Sequence, residues 1–227
     1  MREVIDVYTA APAREDVTAA LGLLSVAERA QAARFAIDGV RRSWIVAHAL
    51  VRRALSRHAP VDPEDWQFAP RADGRPEITA PRAGLRFNLS HGRALVACAV
   101  SGGPDVGIDV EDAQRQAPLE LVDRVFSPIE REAFATLPAA ERADRFCFHW
   151  TMKEAYLKAR GLGLVDELDR LTFHPESPVR ASFAADWDDD PASWQLESRV
   201  IEGHRVAVAI RHRGVPALTL RVHPPAR

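Results

Sequence analysis

Apolar and polar residues alternate with a period of two in Val4-Ile-Asp-Val-Tyr8, which predicts an opening strand. The spacing then lengthens to that of a helix. Ser25-Val-Ala-Glu28 reads as a capping box, a helix start in which side chain and backbone satisfy each other. From about Arg41 to His58, Trp44, Ala47, Leu50, Val51 and Leu55 recur on one helical face. Residues 59–84 carry Pro60, Pro63, Pro70, Gly74, Pro76 and Pro81 and predict loop or edge strand. Leu85–Leu89 and Ala94–Val100 predict a strand pair joined by the turn Ser90-His-Gly-Arg93. Val106–Glu111 alternates again, and the polar stretch 112–120, with Pro118, predicts a loop. Helices are expected over Leu119–Arg124, Pro128–Leu137 and Ala140–Arg160, the last stopped by Gly161 and Gly163. Residues 175–192 read as surface loop, and strands Trp194–Ile201, His204–Arg211 and Ala217–Val222 close the chain.

Two stretches echo each other. Trp44-Ile-Val-Ala-His48-Ala-Leu-Val-Arg52 and Trp150-Thr-Met-Lys-Glu154-Ala-Tyr-Leu-Lys158 share an aromatic, a polar residue four on and a base four further. Each is followed by a similar strand, Gly92-Arg-Ala-Leu-Val-Ala-Cys-Ala-Val100 and Gly203-His-Arg-Val-Ala-Val-Ala-Ile210. The repeated order predicts a duplicated unit, two halves about a pseudo-two-fold axis with a site in the cleft between them. In this register His48 stands where the second half has Glu154.

Composition narrows the chemistry. A net charge of −2 on 227 residues gives no global field for nucleic acid, so any anion site is a local basic cluster. Cys98 and Cys147 sit among apolar residues without a Cys-x-x-Cys pattern, which suits a reducing cytoplasm. No stretch reaches the length of a membrane span, and the N-terminus lacks a signal-peptide pattern. A cytoplasmic monomer is expected.

Several residues carry candidate chemistry. On a strand, Asp109 and Glu111 share a face while Ile108 and Val110 turn to the core, and paired carboxylates are hard donors of the kind magnesium takes beside phosphates. Alone, the pair equally describes a solvated strand end. On the helix, Trp150, Glu154, Leu157 and Lys158 share a broad face, so Glu154 and Lys158 are either a helix-stabilising ion pair or a metal carboxylate or base beside a phosphate-binding lysine. Lys153 lies roughly 100° round the helix, where it would flank the same anion only at the edge of a cleft. Ser90 and His91, at a turn, suit a phosphate. A serine-hydrolase reading of Ser90 lacks the Gly-x-Ser-x-Gly elbow.

In combination these elements closely resemble the Sfp-type 4′-phosphopantetheinyl transferases. The resemblance covers most of the chain from Ser25, through Gly74-Arg-Pro76, Phe87-Asn-Leu-Ser-His91, Gly107-Ile-Asp-Val-Glu111, Phe126-Ser-Pro-Ile-Glu130 and Trp150-Thr-Met-Lys-Glu-Ala-Tyr-Leu-Lys-Ala159. It implies an α+β fold of two similar halves, 1–104 and 105–227, the second carrying the metal site in the cleft between them. It implies magnesium-dependent transfer of phosphopantetheine from coenzyme A to a serine of an acyl or peptidyl carrier protein, with release of 3′,5′-ADP. By matching positions, Asp109, Glu111 and Glu154 would hold the metal and Lys158 would contact the pyrophosphate. His91 and Ser90 would meet the 3′-phosphate, the Arg75 loop would line the adenine side, and Arg42 or Arg41 would add a phosphate contact. Glu154, or a water near it, would act as base.

The chain also departs from the family. Where members often carry early-helix lysines for the 3′-phosphate, Glu28 and Gln31 stand here, so Arg29 and Arg34 substitute or Arg42 and His91 hold that phosphate. The Trp-Lys-Glu-Ala form resembles members serving polyketide and nonribosomal peptide assembly lines. Two alternatives stay open: a non-catalytic coenzyme A-binding protein of the same fold, and a magnesium-dependent phosphodiesterase. Leu119, Leu121, Val122 and Val125 would either meet the carrier protein or pack on their own core.

Overall fold

The structure, a computed structural model, describes residues 4–71, 74–114, 118–163, 167–212 and 219–225. The first half runs β1 (Val4–Ala10), α1 (Val17–Gly22), α2 (Val26–Ala32), α3 (Asp38–Ser56), the hairpin β2 (Gln67–Pro70) and β3 (Pro76–Ala80), then β4 (Arg86–His91) and β5 (Val96–Ser101). The second runs β6 (Asp105–Asp112), α4 (Val122–Val125), α5 (Pro128–Ala135), α6 (Ala139–Arg160), the hairpin β7 (Leu171–His174) and β8 (Arg180–Phe183), then β9 (Trp194–Ile201) and β10 (His204–Arg211). The order of elements thus repeats: a strand, short helices, one long helix, a small hairpin and two antiparallel strands. The sheets repeat as well, since β1-β5-β4 in one corresponds to β6-β10-β9 in the other. A final strand, β11 (Thr219–His223), crosses back and pairs in parallel with β1. His223 holds it there, with Nε2 2.6 Å from Asp6 Oδ1 and its ring stacked on Tyr8 at 4.3 Å.

The two sheets pack face to face. Ile5, Val7, Leu95, Ala97 and Ala99 of the first meet Val106, Ile108, Val110, Val206, Val208 and Ile210 of the second. The outer face of the first sheet, with Tyr8, Cys98 and Val100, receives Val51, Ala54 and Leu55 of α3. The outer face of the second, with Ala207 and Ala209, receives Met152, Ala155 and Tyr156 of α6. The result is a helix–sheet–sheet–helix stack, and β5 is buried along its whole length because both of its faces are covered. Both cysteines are free and buried. Among the described residues no helix is long and apolar enough to cross a membrane.

Each half also contains the same polar clamp, and it changes the register of the sequence echo. Ser25 and Glu28 form the expected capping box of α2; Ser127 and Glu130 form a second one at α5, which the sequence reading missed. Glu28 Oε2 accepts from Arg52 at 2.6 Å while Oε1 lies 3.3 Å from His48 Nδ1. Glu130 Oε2 accepts from Lys153 at 2.6 Å while Oε1 lies 3.0 Å from His149 Nδ1. The partner of His48 is therefore His149, not Glu154, and that of Arg52 is Lys153, not Lys158.

Other elements differ from expectation in small ways. The β7–β8 hairpin and α1 were not foreseen, the latter capped by Asp16, which accepts from the Thr18 and Ala19 amides. Ser90 and His91 belong to β4 rather than to a turn. Residues 217–218 of the expected last strand and 115–117 of the expected loop lie outside the described residues.

Lys153 is fully buried, donating to Glu130 and to the Val125 and Leu168 carbonyls. Lys153→Ala leaves the Glu130 carboxylate buried without its ammonium and should cost about 3–5 kcal/mol in urea unfolding; a loss under about 1 kcal/mol would contradict this role. Gly107→Ala would place a methyl 2.0 Å from the Ala155 carbonyl oxygen and 2.5 Å from the Ala159 nitrogen, both backbone. It should destabilise by about 3 kcal/mol or more in the same experiment.

Candidate active site

The alternation in β6 turns Val106, Ile108 and Val110 into the inter-sheet core and leaves Gly107, Asp109 and Glu111 towards α6. Because Gly107 has no side chain, α6 lies against β6 backbone to backbone, and its Glu154–Lys158 turn comes level with Asp109. Lys158 Nζ sits 2.7 Å from Asp109 Oδ1 and also donates to the Ile108 carbonyl at 3.2 Å and to Ser90 Oγ at 3.3 Å. Ser90 in turn donates to Asp109 Oδ1 at 2.8 Å. Asp109 Oδ2 and Glu154 Oε1 are buried with no hydrogen-bond partner. Burial, then the charges of Asp109 and Glu111, push the Glu154 carboxyl above its ordinary pKa, against the pull of Lys158.

Ser90, Asp109 and Lys158 of this cluster line a cleft of about 1770 Å³ formed by both halves, while Glu154, expected there as well, is buried beside them and is not among the lining residues. Of the residues singled out from the sequence, Arg75, Ser90, His91, Asp109, Glu111 and Lys158 line the cleft. His91 is exposed at its edge; desolvation by the cleft walls and the charges of His48 and Lys158 hold its pKa below the ordinary value.

Four of the expected ligand residues are already engaged by the protein. Arg42 does not line the cleft, because its guanidinium is bound to the Pro12 and Glu15 carbonyls at 2.6 and 2.8 Å. Arg41 instead pairs with Asp38. Lys153 points away into the core, on the far side of the helix from the cleft. Ser90 faces the cleft but is only 7% exposed and already bonded on all sides.

Other groups in the cleft were missed as site residues. Trp44 and His48, stacked at 3.7 Å, line it with Glu28, Arg52 and His204. Burial raises the Glu28 pKa, but hydrogen bonds from His48 and the Ser25 amide, with the Arg52 charge, lower it to about 2. Glu28 is therefore ionised and internally compensated. Arg29 and Arg34 do not line the cleft; Arg29 donates to the Leu24 carbonyl and Arg34 to Gln31. On the 119–125 segment Leu119 is 59% exposed, while Val125 is core and Leu121 and Val122 pack partly against it.

The donor set suits a hard divalent cation by its chemistry. Two buried carboxylate oxygens lack partners, and Asp109, Glu111 and Glu154 repel one another in a way such a cation would relieve. In this arrangement no group of three or more His, Cys, Asp or Glu is gathered at metal-holding distance among the described residues. The positive charge beside Asp109 is the Lys158 ammonium.

Comparison with known proteins points to one family. Residues 105–210, which include β6 and α6, match the family model described as the 4′-phosphopantetheinyl transferase superfamily. The chain is 34% identical over 169 residues to the 4′-phosphopantetheinyl transferase HetI of a Nostoc species, covering 72% of this chain and 71% of that protein. It is 29% identical over 199 residues to the 4′-phosphopantetheinyl transferase Sfp of Bacillus subtilis, covering 86% of each. A partial likeness to the solved Thermotoga maritima holo-[acyl-carrier-protein] synthase spans 48% of this chain and 62% of that one, at 21% identity and a TM-score of 0.39.

A raised carboxyl pKa means that the folded protein holds the Glu154 proton more tightly than the unfolded chain. The associated stability is present below the ordinary value of 4.5 and is lost as pH rises through the raised one. In the ligand-free protein with chelator, Glu154→Gln should melt like wild type near about pH 4.5 and at least about 2 °C higher near about pH 8. A difference in Tm that does not change with pH would contradict the assignment.

Proposed function

Because the chain belongs to the 4′-phosphopantetheinyl transferase superfamily, we propose that its cleft binds coenzyme A and passes the 4′-phosphopantetheine group to a serine of an acyl or peptidyl carrier protein. The observation that carries this reading is the meeting of Asp109 on β6 with Lys158 on α6 in the cleft, with Glu154 buried beside them. In the reaction the carrier serine oxygen forms a bond to the phosphorus nearer the pantetheine, the bond from that phosphorus to the bridging oxygen breaks, and 3′,5′-ADP leaves. Asp109, Glu111 and Glu154 would hold magnesium, which when bound neutralises charge on the pyrophosphate.

The chain's own groups do the rest. Glu154 Oε1, buried and without a partner, takes the serine proton, and burial beside Asp109 and Glu111, which raises its pKa, makes it a stronger proton acceptor than an ordinary carboxylate. Lys158 faces the pyrophosphate. Its contact to the Ile108 carbonyl, at 3.2 Å, is the one an anionic oxygen would replace. His91 and Arg75, which line the cleft, would meet the remaining phosphate and the adenine side. Glu28 and Gln31 stand in the cleft without a lysine beside them, so the 3′-phosphate relies on His91 and Arg75 rather than on α2. We also read residues 1–104 and 105–227 as duplicated subdomains, supported by the repeated element order and paired clamps. The Trp-Lys-Glu-Ala motif favours carriers of polyketide or nonribosomal peptide assembly lines.

The test is to incubate the protein with coenzyme A, magnesium and apo carrier proteins and to weigh the carriers. Wild type should add one phosphopantetheine group. Asp109→Ala and Glu154→Ala should each slow transfer by at least about 10³-fold with folding retained. No mass gain on any carrier, or hydrolysis of coenzyme A in the absence of carrier, would overturn the reading.

A further inference from the structure

Two edge strands meet beneath the cleft without forming a ladder. β4 ends the first sheet and β6 ends the second. Yet the Ile108 amide of β6 donates to Asn88 Oδ1 at 2.9 Å, and the Val110 amide to Ser90 Oγ at 3.3 Å. Asn88 and Ser90 pair in register with Ala99 and Ala97, which face the inter-sheet core. With Arg86, which pairs with Asp105 of β6, they are the polar residues on that face of β4, and Asn88 and Ser90 supply the acceptors a neighbouring strand's carbonyls would provide. At 6% and 7% exposure they leave water little access to the same amides.

Ser90 has no capacity left over. A hydroxyl offers one donor and two acceptor positions. Its hydrogen goes to Asp109 Oδ1, and its lone pairs receive the Val110 amide and the Lys158 ammonium. By engaging Oδ1 together with Lys158, it leaves Oδ2 as the open oxygen of Asp109.

We propose that Asn88 and Ser90 form a side-chain seam between the two sheets that fixes Asp109 and Lys158 relative to each other, making Ser90 a positioning residue and not a ligand of coenzyme A. The inference rests on the transferase reading above for its kinetic consequence, but its binding consequences stand without it. Loss of a group that orients a ligand-bearing carboxylate weakens metal affinity or turnover by about 10- to 100-fold.

The experiment compares wild type, Ser90→Ala, Ser90→Thr and Asn88→Ala. Affinity for Mn²⁺ alone, measured by electron paramagnetic resonance, should fall about tenfold in Ser90→Ala. Affinity for coenzyme A in chelator, measured by calorimetry, should stay within about twofold of wild type. Turnover at saturation should fall about 10- to 100-fold with KM for coenzyme A unchanged. Ser90→Thr, which keeps the hydroxyl, should recover most of each loss, and Asn88→Ala should shift Mn²⁺ affinity and turnover in the same direction. A fall of about tenfold in coenzyme A affinity with turnover preserved would make Ser90 a ligand and overturn the proposal, as would unchanged Mn²⁺ affinity and turnover. If Ser90→Ala fails to fold, Ser90→Cys carries the same comparison with a weak hydrogen-bonding group. If wild type modifies no carrier, the transferase reading fails while the Mn²⁺ and coenzyme A affinities still decide the role of Ser90.

Discussion

The site depends on how closely one helix lies against one strand. With any side chain at 107, α6 would be held off β6, and Glu154 and Lys158 would move away from Asp109 by the same displacement. The approach is fixed from behind by the buried Lys153–Glu130 pair and by Asp189, whose carboxylate accepts from Tyr156, Arg160, Trp194 and Arg211. Both clusters grip α6 on faces that do not meet the cleft. Asp109, Glu154 and Lys158 thus sit on regular elements and are held by neighbours that do not line the cleft.

The two halves share a frame but not its chemistry. Each has a glutamate that caps a short helix and receives a histidine and a base from the long one. In the first half this clamp opens onto the cleft as Glu28, His48 and Arg52; in the second it is sealed in the core. The residue after each base then differs in role. Arg53, following Arg52, pairs with Glu15, whereas Glu154, following Lys153, turns an unpartnered oxygen inward. Tyr8 and Ala10 of β1 pack on α3 where Gly107 and Asp109 of β6 meet α6. One copy keeps an apolar seam there and the other a charged one.

Much of this was legible in the sequence. The limits of α6 follow from its apolar spacing and from Gly161, which takes the left-handed conformation at the helix end. The strands Trp194–Ile201 and His204–Arg211 follow from alternation with a turn between them. Asp109 and Glu111 on one face required only the period of a strand. What was hidden depended on contacts between distant segments. A helix alone does not say which of Lys153 and Lys158 faces the core, because that is set by where β6 allows the helix to touch. Arg42 has the charge of a phosphate ligand, but Pro12 and Glu15 reach it across the fold. Ser90 looked like a turn because Gly92 follows, yet the strand continues to satisfy β5. Pro, Ser and Asp concealed β8, whose pairing with β7 is set by the buried Leu171 and Phe173 of its partner strand rather than by its own pattern.

The parallel pairing of β11 with β1 has a consequence for biosynthesis. β1 waits for β11, since its outer edge finds residues 219–223 only after the segments between them have emerged. Until then β1 presents open amides and carbonyls beside β5, an edge prone to pair with other chains. The first half can gather its helices early, but its sheet is finished late. Vectorial synthesis therefore builds the two sheets in an overlapping order, and the β1–β11 hydrogen bonds form only after the second half has been made.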